Sequence, residues 1–116
     1  MRRSLSVTLA ANQENCAEQL ARFFPRTTPV RIPVQVTSLR TRNSRLREST
    51  VVEFGARDYA IFLSTLPLEF DDRIRIERDK KGCIAEATVI AVQYHEGRKA
   101  VAVRFSEGPC DWVTTL

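Results

Sequence analysis

A chain of 116 residues, 43% apolar and 28% charged, has the size and make-up of one globular domain rather than of a disordered chain. Four glycines and five prolines leave no low-complexity segment, and no apolar run reaches the roughly 20 residues that cross a bilayer. The net charge of +4 is unevenly spread: residues 1–52 carry nine arginines against three carboxylates, and residues 53–116 carry nine cations against eleven. Arginine dominates the cations, which favours directed contacts to phosphate or carboxylate, although GC-rich codon usage gives the same bias. Basic charge alone therefore does not make this a nucleic-acid binder.

The N-terminus alternates Leu5, Val7 and Leu9 with polar residues, the pattern of a short strand. Its apolar part is broken by Ser6 and Thr8, so a secretion signal is rejected and a cytoplasmic location is expected. Asn12 reads as a helix cap. Cys16, Leu20, Phe23 and Phe24 follow at i, i+4, i+7 and i+8, one stripe of a short helix that Pro25 ends. Residues 1–25 are thus expected as a strand and helix extension of a domain over 26–116.

The rest reads as strands. Val30, Ile32, Val34 and Val36 share one face, with Arg26 and Arg31 just ahead of it as a candidate phosphate clamp. Arg40, Arg42, Arg45 and Arg47 make a basic connection, without the interleaved aromatics of a base-stacking platform. Thr50, Val52 and Phe54 are expected on one face of the next strand, and Tyr59, Ile61 and Leu63 on one face of the strand after Gly55. The segment 66–72 is a connection, and Ile74 and Ile76 alternate with charged residues. Asp79 to Gly82 is a turn.

Residues 84–94 are long for a strand and invite a bend or bulge. A turn at 95–98 precedes a last strand with Val101, Val103 and Phe105 inward. Gly108 and Pro109 break it, and Trp112 is expected to fold back as a lid. About six strands with turns between them predict an all-β barrel or sandwich, with the helix over one open end or flank. Cys16, Cys83 and Cys110 have no CxxC spacing and fit neither a disulfide framework nor a zinc site. His95, the single histidine, sits in a turn without a paired nucleophile, and Asp71 and Asp72 have no third ligand beside them.

Several of these pieces, in this order, resemble the PilZ domain. They are Arg31-Ile-Pro-Val-Gln-Val36, Leu66-Pro-Leu-Glu69 leading to Asp72-Arg73-Ile-Arg-Ile76, Ala87-Thr-Val-Ile-Ala-Val92, Glu96-Gly-Arg98, and Val101-Ala-Val-Arg-Phe105. The resemblance covers residues 26–112 and implies an all-β fold, a six-stranded antiparallel PilZ-like β-barrel with a short N-terminal α-helix. It further implies a non-enzymatic bacterial receptor for the second messenger cyclic di-GMP. The family's ligand motifs are RxxxR before the first strand and DxSxxG in the turn before the third.

Both motifs are altered here. Four residues before Arg31 stands Thr27, and Arg26 lies one residue earlier. From Glu53 the turn reads Glu-x-Gly-x-x-Asp, without the serine and the last glycine, and Arg57 and Asp58 fill its tip. Asp58 tolerates a left-handed turn better than most residues but brings negative charge toward an anionic ligand, which Arg57 partly offsets. The expected ligand set is Arg26, Arg31, Glu53, Gly55, Arg57 and Asp58, with the arginines on phosphate and guanine and the turn on base or ribose. No metal and no other cofactor is expected. The competing readings are a ligand-free PilZ-like interaction domain with an unidentified protein partner, a homodimer among the options, and a small barrel that binds nucleic acid through its arginine loop.

Overall fold

The computed structural model describes residues 16–40, 46–78, 83–95 and 97–106. Helix α1 spans Cys16–Ala21. Six strands follow: β1 Thr28–Ser38, β2 Arg47–Gly55, β3 Tyr59–Ser64, β4 Arg73–Arg78, β5 Cys83–His95 and β6 Arg98–Phe105. They close into a barrel in the order β1-β2-β3-β6-β5-β4, every pairing antiparallel. The β1–β4 ladder, from Val34 with Arg78 to Ser38 with Ile74, is the closure. It leaves none of the six strands with an open edge, which protects a domain of this size from edge-to-edge association.

Alternation supplies the interior. Ile32, Val34 and Val36 of β1 point inward beside exposed Arg31 and Pro33, and they meet Val52, Phe62, Ile74, Ile76, Ala87, Val89, Val101 and Val103. β-branched side chains dominate this set, as the pleat favours. Leu66 and Leu68, in the connection after β3, turn into the same core and close one end of the barrel.

A second apolar cluster lies outside the wall. Cys16, Ala17 and Leu20 of α1 are buried against Ile61 of β3 and Ala100 and Ala102 of β6. The helix therefore covers a flank rather than an end. The small alanines let its backbone come close to the sheet. Two β-bulges widen this outer patch. In β2, Val52 pairs with Phe62 but Phe54 pairs with Ile61, so Glu53 is an extra residue. In β5, Val89 pairs with Val103 but Ala91 pairs with Ala102, so Ile90 is extra. Each bulge shifts the alternation by one. Phe54, Ile90 and Ala91 consequently pack beneath the helix while Val52, Val89 and Val92 stay with the interior.

Two expectations are corrected. Thr50, Val52 and Phe54 do not share a face, because the β2 bulge sends Phe54 outward. Phe23 does not belong to the helix stripe and stands 73% exposed. Regular helix ends at Ala21, before Pro25, and the chain tightens: Phe23 N–H donates to Leu20 O at 3.0 Å and Phe24 N–H to Ala21 O at 2.9 Å. These i to i+3 bonds advance each residue by more than a helical step, so Phe24 keeps to the barrel and Phe23 swings out. The expected bulge in the long strand, the inward faces of β1, β4 and β6, and the turn at 95–98 all hold. In that turn His95 pairs with Arg98 around Gly97, whose φ of +79° favours glycine. The N-terminal strand at Leu5 to Leu9, the cap at Asn12, Arg42 and Arg45, the turn at Asp79 to Gly82, Cys110 and the Trp112 lid lie outside the described residues.

Candidate functional site

The start of β1 and the turn between β2 and β3 are neighbours because β1 and β2 pair to their ends. Thr28 lies opposite Gly55 and Pro29 opposite Phe54. The register slips by one residue between Pro29 and Ile32, so the segment carrying Arg31 bulges from the ladder. Arg31 itself is exposed. On the other strand Gly55 is buried, and the turn closes through Ala56 N–H to Tyr59 O at 2.9 Å. Arg57 and Asp58 stand exposed at its tip, and Asp58 O accepts the Phe105 N–H at 2.9 Å, tying the turn to the end of β6. The left-handed non-glycine residue among those described is Asp71, at φ 76°, not Asp58.

Arg26 lies in a cleft of about 400 Å³ with Phe23, Phe24, Pro25 and Tyr59. Its aromatic wall is built by two elements: Phe24 leaves α1 and Tyr59 opens β3, with ring centroids 5.5 Å apart and planes inclined at 49°. The turn into β1 is held by Thr27, whose N–H and Oγ1–H both donate to Phe24 O, at 3.0 and 2.7 Å. Arg26 therefore sits within a hydrogen-bonded turn.

Glu53 is not in this cleft. As the extra residue of the β2 bulge it lines a separate cleft of about 300 Å³ with Arg98, Lys99, Thr50 and Ser64. Arg98 and Glu53 both act on the buried Cys16 thiol, whose pKa burial pushes up. Of the six expected site residues, then, Arg26, Arg31, Gly55, Arg57 and Asp58 lie at one end of the barrel, and Glu53 faces the helix side of the wall.

The sequence reading passed over three residues. Periodicity gives Tyr59 only a shared face and Phe24 only a place in a stripe, yet together they wall the Arg26 cleft. The run Phe23-Phe24-Pro25-Arg26 is the signal that could have found it. Lys99 is the third. It shares the inward parity of Val101 and Val103, is 8% exposed, and its ammonium donates to Leu66 O and, at 3.4 Å, to Leu68 O. Beside it Ser64 Oγ–H donates to Glu48 at 2.7 Å, and Glu48 also accepts from Thr65. This polar plug seals the end of the barrel opposite Arg26. Arginines of the expected basic connection are engaged too: Arg40 grips both oxygens of Asp72, at 3.3 and 3.0 Å, and Arg47 reaches Glu77 at 3.4 Å.

No family model and no curated protein matches the chain. Solved structures do. One of them, the Bacillus subtilis inhibitor of motility (MotI/DgrA), superposes with a TM-score of 0.54 at 14% identity, over 78% of this chain and 45% of that one. The fold is the PilZ-like barrel that the sequence resemblance implied. At this identity the likeness speaks for architecture alone, and the chain spans less than half the length of that protein. Among the described residues no helix is long and apolar enough to cross a membrane, and no cluster of three metal-ligating side chains occurs.

Proposed function

We propose that this chain is a non-enzymatic PilZ-like signalling module that takes cyclic di-GMP at the barrel end where the arginine segment meets the β2–β3 turn. The observation that supports this reading is the pairing of Thr28 with Gly55, which sets the 26–31 segment beside the 55–58 turn. The two halves of a degenerate motif pair, distant in sequence, thereby meet at one edge. Arg26 and Arg31 supply paired N–H donors for phosphate and flat cationic faces for guanine. Gly55, Arg57 and Asp58 supply backbone and polar groups on the opposing side, and Glu53 contributes only through the bulge that positions the turn. Ligand binding then biases the 25–30 segment toward one conformation and alters the surface offered to a partner, a shift set by differential affinity.

Titration calorimetry of the protein with cyclic di-GMP tests this. Binding tighter than about 100 µM, roughly −5.5 kcal/mol, is expected, and it should be abolished by Arg26→Glu with Arg31→Glu. No heat in that range refutes the receptor reading. A second reading, a ligand-free interaction domain, is favoured by the exposed Phe23 and by the missing serine of the turn motif. It is the conclusion that a silent titration would leave.

A further inference from the structure

Tyr59 of β3 lies directly opposite Arg104 of β6. Residues facing each other in an antiparallel pair project to the same side, with Cβ atoms roughly 5 Å apart. That side is the outer one: Ile61 on β3 and Ala100 and Ala102 on β6 are all buried under α1. Arg104 is the next outward residue along β6, past the end of the helix, and it is exposed. It makes no ion pair with any described residue. Arg26 thus lines the cleft walled by Phe24 and Tyr59, and Arg104 is the cross-strand neighbour of Tyr59 on the same outer face.

We infer that this cleft holds one nucleotide unit, the base against the Phe24–Tyr59 wall and the phosphate between Arg26 and Arg104. The inference rests on the cyclic di-GMP reading above and deepens it, because it adds a phosphate-binding residue from outside both sequence motifs. Two aromatic rings with Arg26 in the cleft and Arg104 across the ladder from Tyr59 suit a planar, anionic, aromatic ligand: the rings offer stacking surface and the guanidiniums directed N–H donors. About 400 Å³ lies at the lower end of small-molecule sites, the scale of one nucleotide unit. The second half of a cyclic dinucleotide then extends toward the bulged Arg31 and the 55–58 turn. Arg104 stands in for the first motif arginine, which is displaced here to position 26.

The test uses the 116-residue chain with cyclic di-GMP and, separately, guanosine monophosphate as probes. Calorimetry compares the parent with Arg104→Gln and Arg104→Lys, and aromatic NMR resonances of Tyr59 and Phe24 report stacking. Expected is a loss of about tenfold or more in cyclic di-GMP affinity for Arg104→Gln, the worth of one charge-assisted contact, with part of it kept in Arg104→Lys. Ring-current shifts at Tyr59 and Phe24 should accompany binding. Unchanged affinity in Arg104→Gln, or binding without those shifts, overturns the inference and leaves the receptor reading standing. If only guanosine monophosphate binds, and Arg104→Gln weakens it, the cleft assignment stands and the cyclic dinucleotide reading falls. If neither probe binds the parent, both fall. Arg104 is exposed, so circular dichroism of its variants should match the parent.

Discussion

Replacing Lys99 by methionine is a sharp probe of the barrel's sealed end. Lys99 is 8% exposed, and its ammonium serves the carbonyls of Leu66 and Leu68, in the segment that plugs the interior. Methionine has nearly the same length and no donor, so packing survives, Leu68 O loses the ammonium, and Leu66 O keeps only the Leu68 N–H at 2.7 Å. An unpaired buried polar group costs about 1–3 kcal/mol, and relief from burying a charge offsets part of it. The net loss expected at neutral pH is about 1–2 kcal/mol. The pH dependence carries more information. Burial is the main cause that lowers the Lys99 pKa from its ordinary 10.5, ahead of the opposing pull of Glu48, Glu69 and Asp72. Below the folded-state pKa both states hold the proton and the burial cost is fully present. As pH rises from there toward 10.5 the unfolded chain binds more protons than the folded one, so the parent gains stability. Lys99→Met has no such gain. Urea denaturation of both proteins at neutral pH and at about pH 10 should therefore show the gap between them widening with pH. A methionine variant more stable than the parent at neutral pH, or a gap constant with pH, would refute this account of the plug.

Gly97→Ala should destabilise by about 1 kcal/mol although nothing lies within 4 Å of the added methyl, because the cost is the positive φ of the β5–β6 turn. Urea melts check it, and a neutral result would mean the turn rearranges. Ala102→Leu should cost about 1–3 kcal/mol by overpacking the seam between β6 and α1, while the barrel interior stays intact. Near-ultraviolet dichroism and amide exchange limited to residues 16–24 would show this, and a global loss of structure would contradict a helix that merely flanks the wall.

Much of the barrel was legible from side-chain alternation. Ile32, Val34 and Val36, Ile74 and Ile76, and Val101, Val103 and Phe105 are inward as their period implies, and the length of β5 announced a bulge. The β2 bulge was not legible: a nine-residue strand is not long enough to betray an extra residue, and Phe54 reads as a core residue until its partner Ile61 is known. Lys99 was readable by parity with Val101, but a lysine at an inward position beside the turn invites the assumption that the strand has not yet begun. Leu66 and Leu68 lie in a connection, where periodicity says nothing about burial. Of the candidate site, Arg26 and the 55–58 turn followed from motif order. The Phe24–Tyr59 wall and Arg104 did not, because they meet only through helix docking and strand pairing.

The most direct test of the central claim is an amide NMR titration with cyclic di-GMP, which reports location as well as binding. The account predicts perturbations concentrated at residues 23–31, 55–59 and 104, with the Lys99 end unmoved. Perturbations centred on Lys99 and Glu48, or none at all at saturating ligand, would contradict it.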